Sequence, residues 1–487
     1  MSEWLDHART YAPLLIVAAP LACAAVAGAL APGRTAWAAA CAVLAACAWL
    51  AWDMGQRTLL GGATQATSIQ MLALRADGVG LFAAPMVLLA GALTIFAAGA
   101  RLKQDYDKRV APFAVALGLI VSAGWAGALL APDLFTLAIA AQLGWLAGAG
   151  LIALLGGGDG LTGAFRMLVV GGVATALMLI GAALIARGAG GGDLHALSAA
   201  AASAGPGLAA GVGFVLIGLA AMAGVAPLHA WVGPAFTRAG AVAAMVLGVV
   251  GACGALLLLV RVAAFASAAP AIANGVSTAL LALGLISVVI GSAQAIGARN
   301  LRRLAAYAGV AQAGYILVSA SLGSPAGFAA ALVQILAFGV SAMALLAGAS
   351  VIGGNGALDA LDGLARRAPL TSAAMLAGVL NLMGAPLTLG FLGRWRLIEA
   401  GVGSGWWWSA GAVIAASLAA VFYGGRLIER IYFRRASQPG NERRLWNIVV
   451  APALVAAIAG VALGLGPGNL LRAADAAAAQ AMAGGEP

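Results

Sequence analysis

Runs of roughly 20 apolar residues recur along the whole chain, separated by short clusters of charge, glycine, proline or aspartate. A helix needs about that many apolar residues to cross a hydrocarbon core ~30 Å thick. Segments of this kind lie near 12–31, 35–52, 79–100, 110–131, 133–155, 164–187, 207–231, 240–262, 275–298, 304–322, 326–352, 370–400, 404–433 and 446–467. The pattern predicts an all-α polytopic membrane protein with about fourteen transmembrane helices and no stretch left over for a soluble domain.

Composition sharpens this. Of 487 residues, 63% are hydrophobic, and 26 Lys and Arg face 16 Asp and Glu. Mean hydropathy is +1.02. Soluble chains average about 45–50% apolar and about 25% charged, so a soluble globular enzyme, a nucleic-acid binder and a disordered chain are excluded. The net charge of +10 sits in short basic clusters between apolar runs, and in a membrane protein such clusters report orientation. With the N-terminus outside, the inner loops take Arg34, the Arg101–Arg109 cluster, Arg166, Arg238, Arg299 with Arg302 and Arg303, Arg366 with Arg367, and the group from Arg426 to Arg444. That bias predicts both termini on the outer, periplasmic side of a cell inner membrane.

Met1 to Arg9 holds Glu3 and Asp6 and so lacks the positive lead of a secretory signal. Pro20-Leu21-Ala22-Cys23 faintly resembles a lipoprotein cleavage site, but retention as the first membrane helix is the expectation. Cys23, Cys41, Cys47 and Cys253 all fall inside apolar runs, without a CxxC or a nearby histidine cluster, and read as small buried hydrophobes. Trp406-Trp407-Trp408 suits an interfacial belt.

Two of the segments are longer than a straight crossing requires and are interrupted by proline. Gly224-Val225-Ala226-Pro227-Leu228-His229-Ala230-Trp231-Val232-Gly233 and Gly384-Ala385-Pro386-Leu387-Thr388-Leu389-Gly390-Phe391-Leu392-Gly393 share Ala-Pro-Leu, then an aromatic and a glycine. Ala-Leu-Gly-Leu-Ile recurs at 116–120 and 282–286 with nearly the same spacing. Five spans separate equivalent points, and an odd shift reverses direction. The expectation is therefore two inverted five-helix repeats, each with a broken helix, at 110–270 and 271–436, flanked by three helices in 1–109 and a last span and tail in 437–487. Such breaks usually mark an ion or substrate path near the midplane. Proline opens the backbone, which survives only in protein or beside water; the alternative is a simple kink in a packed helix.

Pro227-Leu228-His229-Ala230-Trp231 resembles the Pro-Phe/Leu-His-x-Trp element of the antiporter-like membrane subunits shared by respiratory complex I and Mrp-type cation/proton antiporters. Asn300-Leu301-Arg302-Arg303-Leu304-Ala305-Ala306-Tyr307, continuing to Gln312-Ala313-Gly314-Tyr315, resembles their Asn-Leu-Lys-Arg-Leu-x-Ala-Tyr…Gly-Tyr stretch. The segment from Gly384 to Arg394 is similar to Gly-x-Pro-Pro-x-x-Gly-Phe-x-Gly-Lys, and Ala131 to Phe135 to the start of the fifth family helix. The likeness runs from about 77 to 435. The ending from Phe422-Tyr423 to Phe433 leans toward the complex I subunit N-like branch, and the Asp133 start equally resembles the D-type subunit of Mrp antiporters.

The resemblance implies a subunit of an NADH-quinone oxidoreductase-like or cation/proton antiporter-like complex, moving protons or cations and bound to other membrane subunits. It is not catalytic alone, and no motif for a cofactor, a metal or nucleic acid is present. In the family, protons are handed along intramembrane Lys and Glu residues. This chain departs from that pattern: the fifth-helix glutamate position falls at Gln142, the lysine before the first break at Met222, the next-helix lysine near Ala252, and the second-half position at Arg394. Only Lys103 and Lys108 exist, both expected in a loop.

The proton-path candidates are His229, Arg394, Glu399, Gln142 and Asp133, with helix breaks at Pro227 and Pro386. His229 can handle protons or be a hydrogen-bonded cap. Arg394 brings a guanidinium, which keeps its positive charge, as a fixed gate or as an interior charge paired with Glu399. Gln142 can order water or simply pack. Asp133 after Pro132 suits an N-cap, and Arg261 is expected to snorkel. Three functions stay open: an ion-translocating subunit, a degenerate non-conducting scaffold of the same complex, and an independent solute transporter.

Overall fold

The computed structural model describes residues 11–29, 33–60, 74, 77–105, 109–199, 205–352, 356–436 and 450–483. Every extended element is helical. In chain order they are α1 (Ala12–Ala29), α2 (Gly33–Gly55, ending in a π turn Gln56–Leu60), α3 (Gly78–Asp105), α4 (Val110–Leu129), α5 (Leu134–Leu155) and α6 (Gly157–Ala189). A short α7 (Leu194–Ala199) leads to α8 (Pro206–Met222), α9 (Val232–Arg238), α10 (Ala241–Ser267, with a π stretch Val246–Gly251), α11 (Pro270–Gly297), α12 (Leu301–Ala320) and α13 (Pro325–Ile352). The remainder are α14 (Leu364–Arg367), α15 (Pro369–Met383), α16 (Leu389–Gly403), α17 (Trp408–Ile428, continued by a π turn to Phe433), α18 (Val450–Leu465) and α19 (Gly468–Met482).

Ten described helices are long and apolar enough to cross a membrane, or eleven if the bent pair α18–α19 counts as one. The chain is a multi-pass integral membrane protein. The predicted number is larger because it also counts three segments of another kind. Two are the proline-interrupted ones, where α8 and α15 are each shorter than a full crossing. The third is α12, long enough but carrying Arg302, Arg303, Gln312 and two tyrosines.

α10 and α13 form the centre of the bundle and are the most enclosed of the spanning helices. Around them α4 packs on α5, α6 on α8, and α11 on α12. Small residues allow these approaches, as is usual where lipid supplies no hydrophobic drive between helices. A Cβ on Gly314 would sit 2.6 Å from the Gly284 carbonyl oxygen, so α11 and α12 touch backbone to backbone.

Three local expectations are corrected. Lys103 sits in the last turn of α3, not in a loop, because the helix runs on past its apolar stretch; Lys108, like Arg75, Arg443 and Arg444, lies outside the described residues. The expected C-terminal tail contains α19, an alanine-faced helix bent 84° from α18 that packs on α3 and α13. Arg261 does not snorkel: it is 1% exposed within α10 and pairs with Asp77, its Nε 3.0 Å from Oδ2. It also donates to the Ala128 carbonyl at 3.3 Å. A carboxylate brought from 184 residues away in the chain removes any need to reach water. All four cysteines are free, with Cys47 and Cys253 buried.

Candidate functional site

Both prolines fall where a helix stops and restarts. α8 ends at Met222, Gly224 takes φ +69°, and the Val225 N–H reaches back to the Ala220 carbonyl. α15 ends at Met383, Gly384 takes φ +76°, and the Ala385 N–H reaches back to the Leu380 carbonyl. Glycine costs nothing in this left-handed conformation, and the back-turned bonds satisfy carbonyls that a helix end leaves open.

In the first break the Ala226 N–H donates to Ser287 Oγ of α11 at 2.8 Å. His229 lies on a single 3₁₀ turn, Leu228–Trp231, 8% exposed. Its Nε2 is 2.9 Å from Gln294 Oε1, its Nδ1 is buried without a partner, and its ring meets the Tyr307 edge. Arg303 donates to the Tyr307 hydroxyl at 3.2 Å and lies over its ring. A polar string therefore runs from Arg303, exposed near the start of α12, through Tyr307 and His229 to Gln294.

Two positions at which the resemblance implied lysine share one cavity. Met222 and Ala252 line one cavity of about 40 Å³, with Trp125, Trp145, Trp231 and Phe338 among the other walls. That volume would admit a few waters, but no lining residue is ionisable. Gln142 does not face it: half-buried on α5, it accepts from Thr175 Oγ1 of α6 at 2.6 Å. Asp133 is an N-cap, accepting from the N–H groups of Phe135 and Thr136 at 2.9 and 2.8 Å and from the Thr136 hydroxyl at 2.6 Å.

The second break is built around Arg394, 4% exposed on α16. It donates to the Leu382 carbonyl at 2.6 Å, to the Met383 carbonyl, and to Ser417 Oγ at 2.8 Å, and it stacks 4.7 Å over Tyr315. Those carbonyls end α15, where the helix dipole is negative, so the charge is compensated without a carboxylate. Glu399 is not its partner. It is exposed and pairs with Arg396 at 3.8 Å, and Arg396 also pairs with Asp475 of α19. Five residues along a helix put Glu399 on a different face, whereas three put it beside Arg396.

Sequence reasoning missed the residues that hold this break. Asn381 donates to the Ala337 carbonyl and Ser341 Oγ, both at 2.7 Å, and accepts from the Gly390 N–H at 2.7 Å. Gln334 donates to Gln312 at 2.7 Å, and Gln312 to the Leu382 carbonyl at 3.2 Å. The signal was present in the chain: a lone amide inside an apolar membrane segment needs a partner. Among the described residues no group of His, Cys, Asp and Glu is placed to hold a metal.

The helical bundle holds two proline-broken helices, one with a histidine and the other with an arginine, as the resemblance to antiporter-like membrane subunits implied. Residues 131–419 match the family described as NADH:quinone oxidoreductase/Mrp antiporter, TM, and the chain belongs to that family. It is 30% identical over 334 residues to NADH-quinone oxidoreductase subunit N of Desulforudis audaxviator, covering 67% of this chain and 66% of that one. Subunit N of Cereibacter sphaeroides is 28% identical over 439 residues, covering 89% and 91%. The fold is shared with a chain of the Mrp complex from Dietzia sp. DQ12-45-1b, TM-score 0.82 at 23% identity over 97% of each chain. It also matches a chain of respiratory complex I from Thermus thermophilus with bound aureothin, TM-score 0.75 at 25% identity, covering 94% and 98%.

Proposed function

We propose that this chain is a membrane subunit of an NADH-quinone oxidoreductase-like or Mrp-like assembly that holds its neighbours in place and conducts no protons through its own interior. One observation carries the reading: the cavity where the family places its lysines is walled by Met222, Ala252 and aromatic side chains, with nothing ionisable among them. A proton crossing there has no group to rest on. Arg394 adds to this, because a guanidinium stays charged at any working pH and here is held by three hydrogen bonds.

In this reading α8 with α9, α12, and α15 with α16 also cross, giving fourteen spans with both termini on the periplasmic side. Residues 110–270 and 271–436 are inverted repeats, supported by the matching turns at Gly224 and Gly384. Residues 1–109 precede them and 437–487 follow. Asp133 and Gln142 cap and pack, and Glu399 belongs to an exposed ion-pair group. Partners are the other membrane subunits of the assembly.

A second reading, proton entry toward the first break, is favoured by the string from Arg303 to His229 and its unpartnered Nδ1. Proton flux in vesicles holding the whole complex separates the two. His229→Ala and Arg394→Ala should leave flux per assembled complex unchanged. A marked fall with assembly intact would overturn the scaffold reading in favour of the second.

A further inference from the structure

Gln142 stands on the outer surface of the bundle. Along α5, Phe135, Ile139 and Leu146 lie seven and three residues before it and four after, so they share its face, and all three are exposed. On α6, Leu168 and Gly172 lie seven and three residues before Thr175 and are exposed too. A Cβ on Gly172 would meet nothing within 4 Å, so the surface is notched one turn from Thr175. The amide of Gln142 is only half satisfied. Its Oε1 accepts from Thr175 Oγ1 at 2.6 Å, while its Nε2 hydrogens meet no acceptor among the described residues. Hydroxyls in other spans return to their own helix, Ser122 to the Gly118 carbonyl and Ser319 to the Tyr315 carbonyl. Depth decides what can complete the amide. Gln142 is eight residues past Leu134 in a spanning helix of 22, about 12 Å from its start, and so lies within a hydrocarbon core ~30 Å thick. Headgroups and bulk water stay at the ends of such a helix, and acyl chains carry no acceptor. An amide left unpaired there is costly.

We propose, resting on the reading of this chain as one subunit of a larger membrane assembly, that the outer face of α5 and α6 docks a transmembrane helix of another subunit. That helix carries a side-chain hydrogen-bond acceptor level with Gln142, a hydroxyl, amide or carboxylate oxygen, which takes the proton of Gln142 Nε2. Its backbone comes close over Gly172. Between membrane helices the lipid supplies no hydrophobic drive, so association depends on side-chain hydrogen bonds and on small residues that let backbones approach. The apolar residues around Gln142 would suit lipid equally well; the unfilled amide donor is what selects a protein neighbour, because at this depth only another helix can bring an acceptor.

Gln142→Leu removes the donors, and Gly172→Leu fills the notch without meeting anything in the chain itself. Each purified variant should keep the parent's thermal midpoint within about 2 °C. The amount of chain held in the whole complex on native gels should nevertheless fall about threefold or more, the weight of one hydrogen bond between membrane helices. p-Benzoylphenylalanine placed at Leu146, in membranes holding the whole complex, should cross-link to another membrane subunit of that complex, and Gln142→Leu should reduce the product. Cross-linking to lipid alone or to a second copy of this chain would overturn the proposal. So would normal assembly of both variants, or a midpoint several degrees lower in purified Gln142→Leu, which would mean that the amide serves the chain's own packing. Deleting the chain separates this proposal from the reading beneath it. If deletion lowers assembly and neither substitution does, the docking surface fails and the subunit reading stands; if deletion changes nothing either, both fail.

Discussion

Arg394 stands where the family resemblance implied a titrating group, and its surroundings make it a fixed part of the fold. Its guanidinium satisfies two carbonyls at the end of α15 and covers Tyr315. Arg394→Leu strands both carbonyls, at about 1–3 kcal/mol each, so the thermal midpoint of the purified chain should fall by several degrees. Arg394→Lys keeps a charge but not the planar fork, and its midpoint should lie between the two. Asp133→Ala should cost about 1 kcal/mol, the ordinary loss of an N-cap, with proton flux of the complex unchanged. The capping role of Asp133 was readable from Pro132-Asp133 opening an apolar run. The partner of Arg394 was not, because carbonyls exposed by a helix break carry no signature in residue type.

At the scale of elements, the two breaks share a left-handed glycine followed by a proline, yet they are finished differently. The second contains Leu387 at φ +67°, a conformation that a branched side chain adopts at about 1–2 kcal/mol. Leu387→Gly should therefore stabilise the chain by roughly 1 kcal/mol in denaturation of the purified protein. The Asp77–Arg261 pair ties the start of α3 to the middle of the bundle, with the Asp77 carboxylate also accepting from the Gly80 N–H at 2.7 Å. Removing one partner of a buried pair costs about 3–5 kcal/mol, and replacing both by apolar residues costs far less. Asp77→Leu alone should destabilise strongly, and Asp77→Leu with Arg261→Leu should recover most of the loss. Additive losses in that cycle would refute a direct coupling.

For the whole molecule, the exposed surface of the bundle is broadly apolar, as with Ile139, Val289 and Ile414; lipid and neighbouring subunits both suit such a face. A scaffold acts by contact, so deleting the chain should lower the amount of assembled complex on native gels. Met222→Lys probes the interior at the same scale. An ammonium placed in a small apolar cavity is desolvated without a partner, so the variant should assemble poorly instead of gaining conduction. α19 adds a last tie: through Asp475 and Arg396 it joins the end of the chain to the helix that carries Arg394.

Hydrophobic periodicity and proline placement by themselves determined a helical, multi-pass chain with two interrupted helices, because the bilayer demands apolar length and satisfied backbone from each segment separately. That demand is local, and residue order records it. Which charges meet was decided only in three dimensions. Asp77 finds Arg261 across 184 residues, and Arg394 finds the end of α15 in preference to Glu399. In a low-dielectric interior a charge is tolerable only beside its compensating groups, and that proximity is a property of packed helices, not of neighbours in the chain.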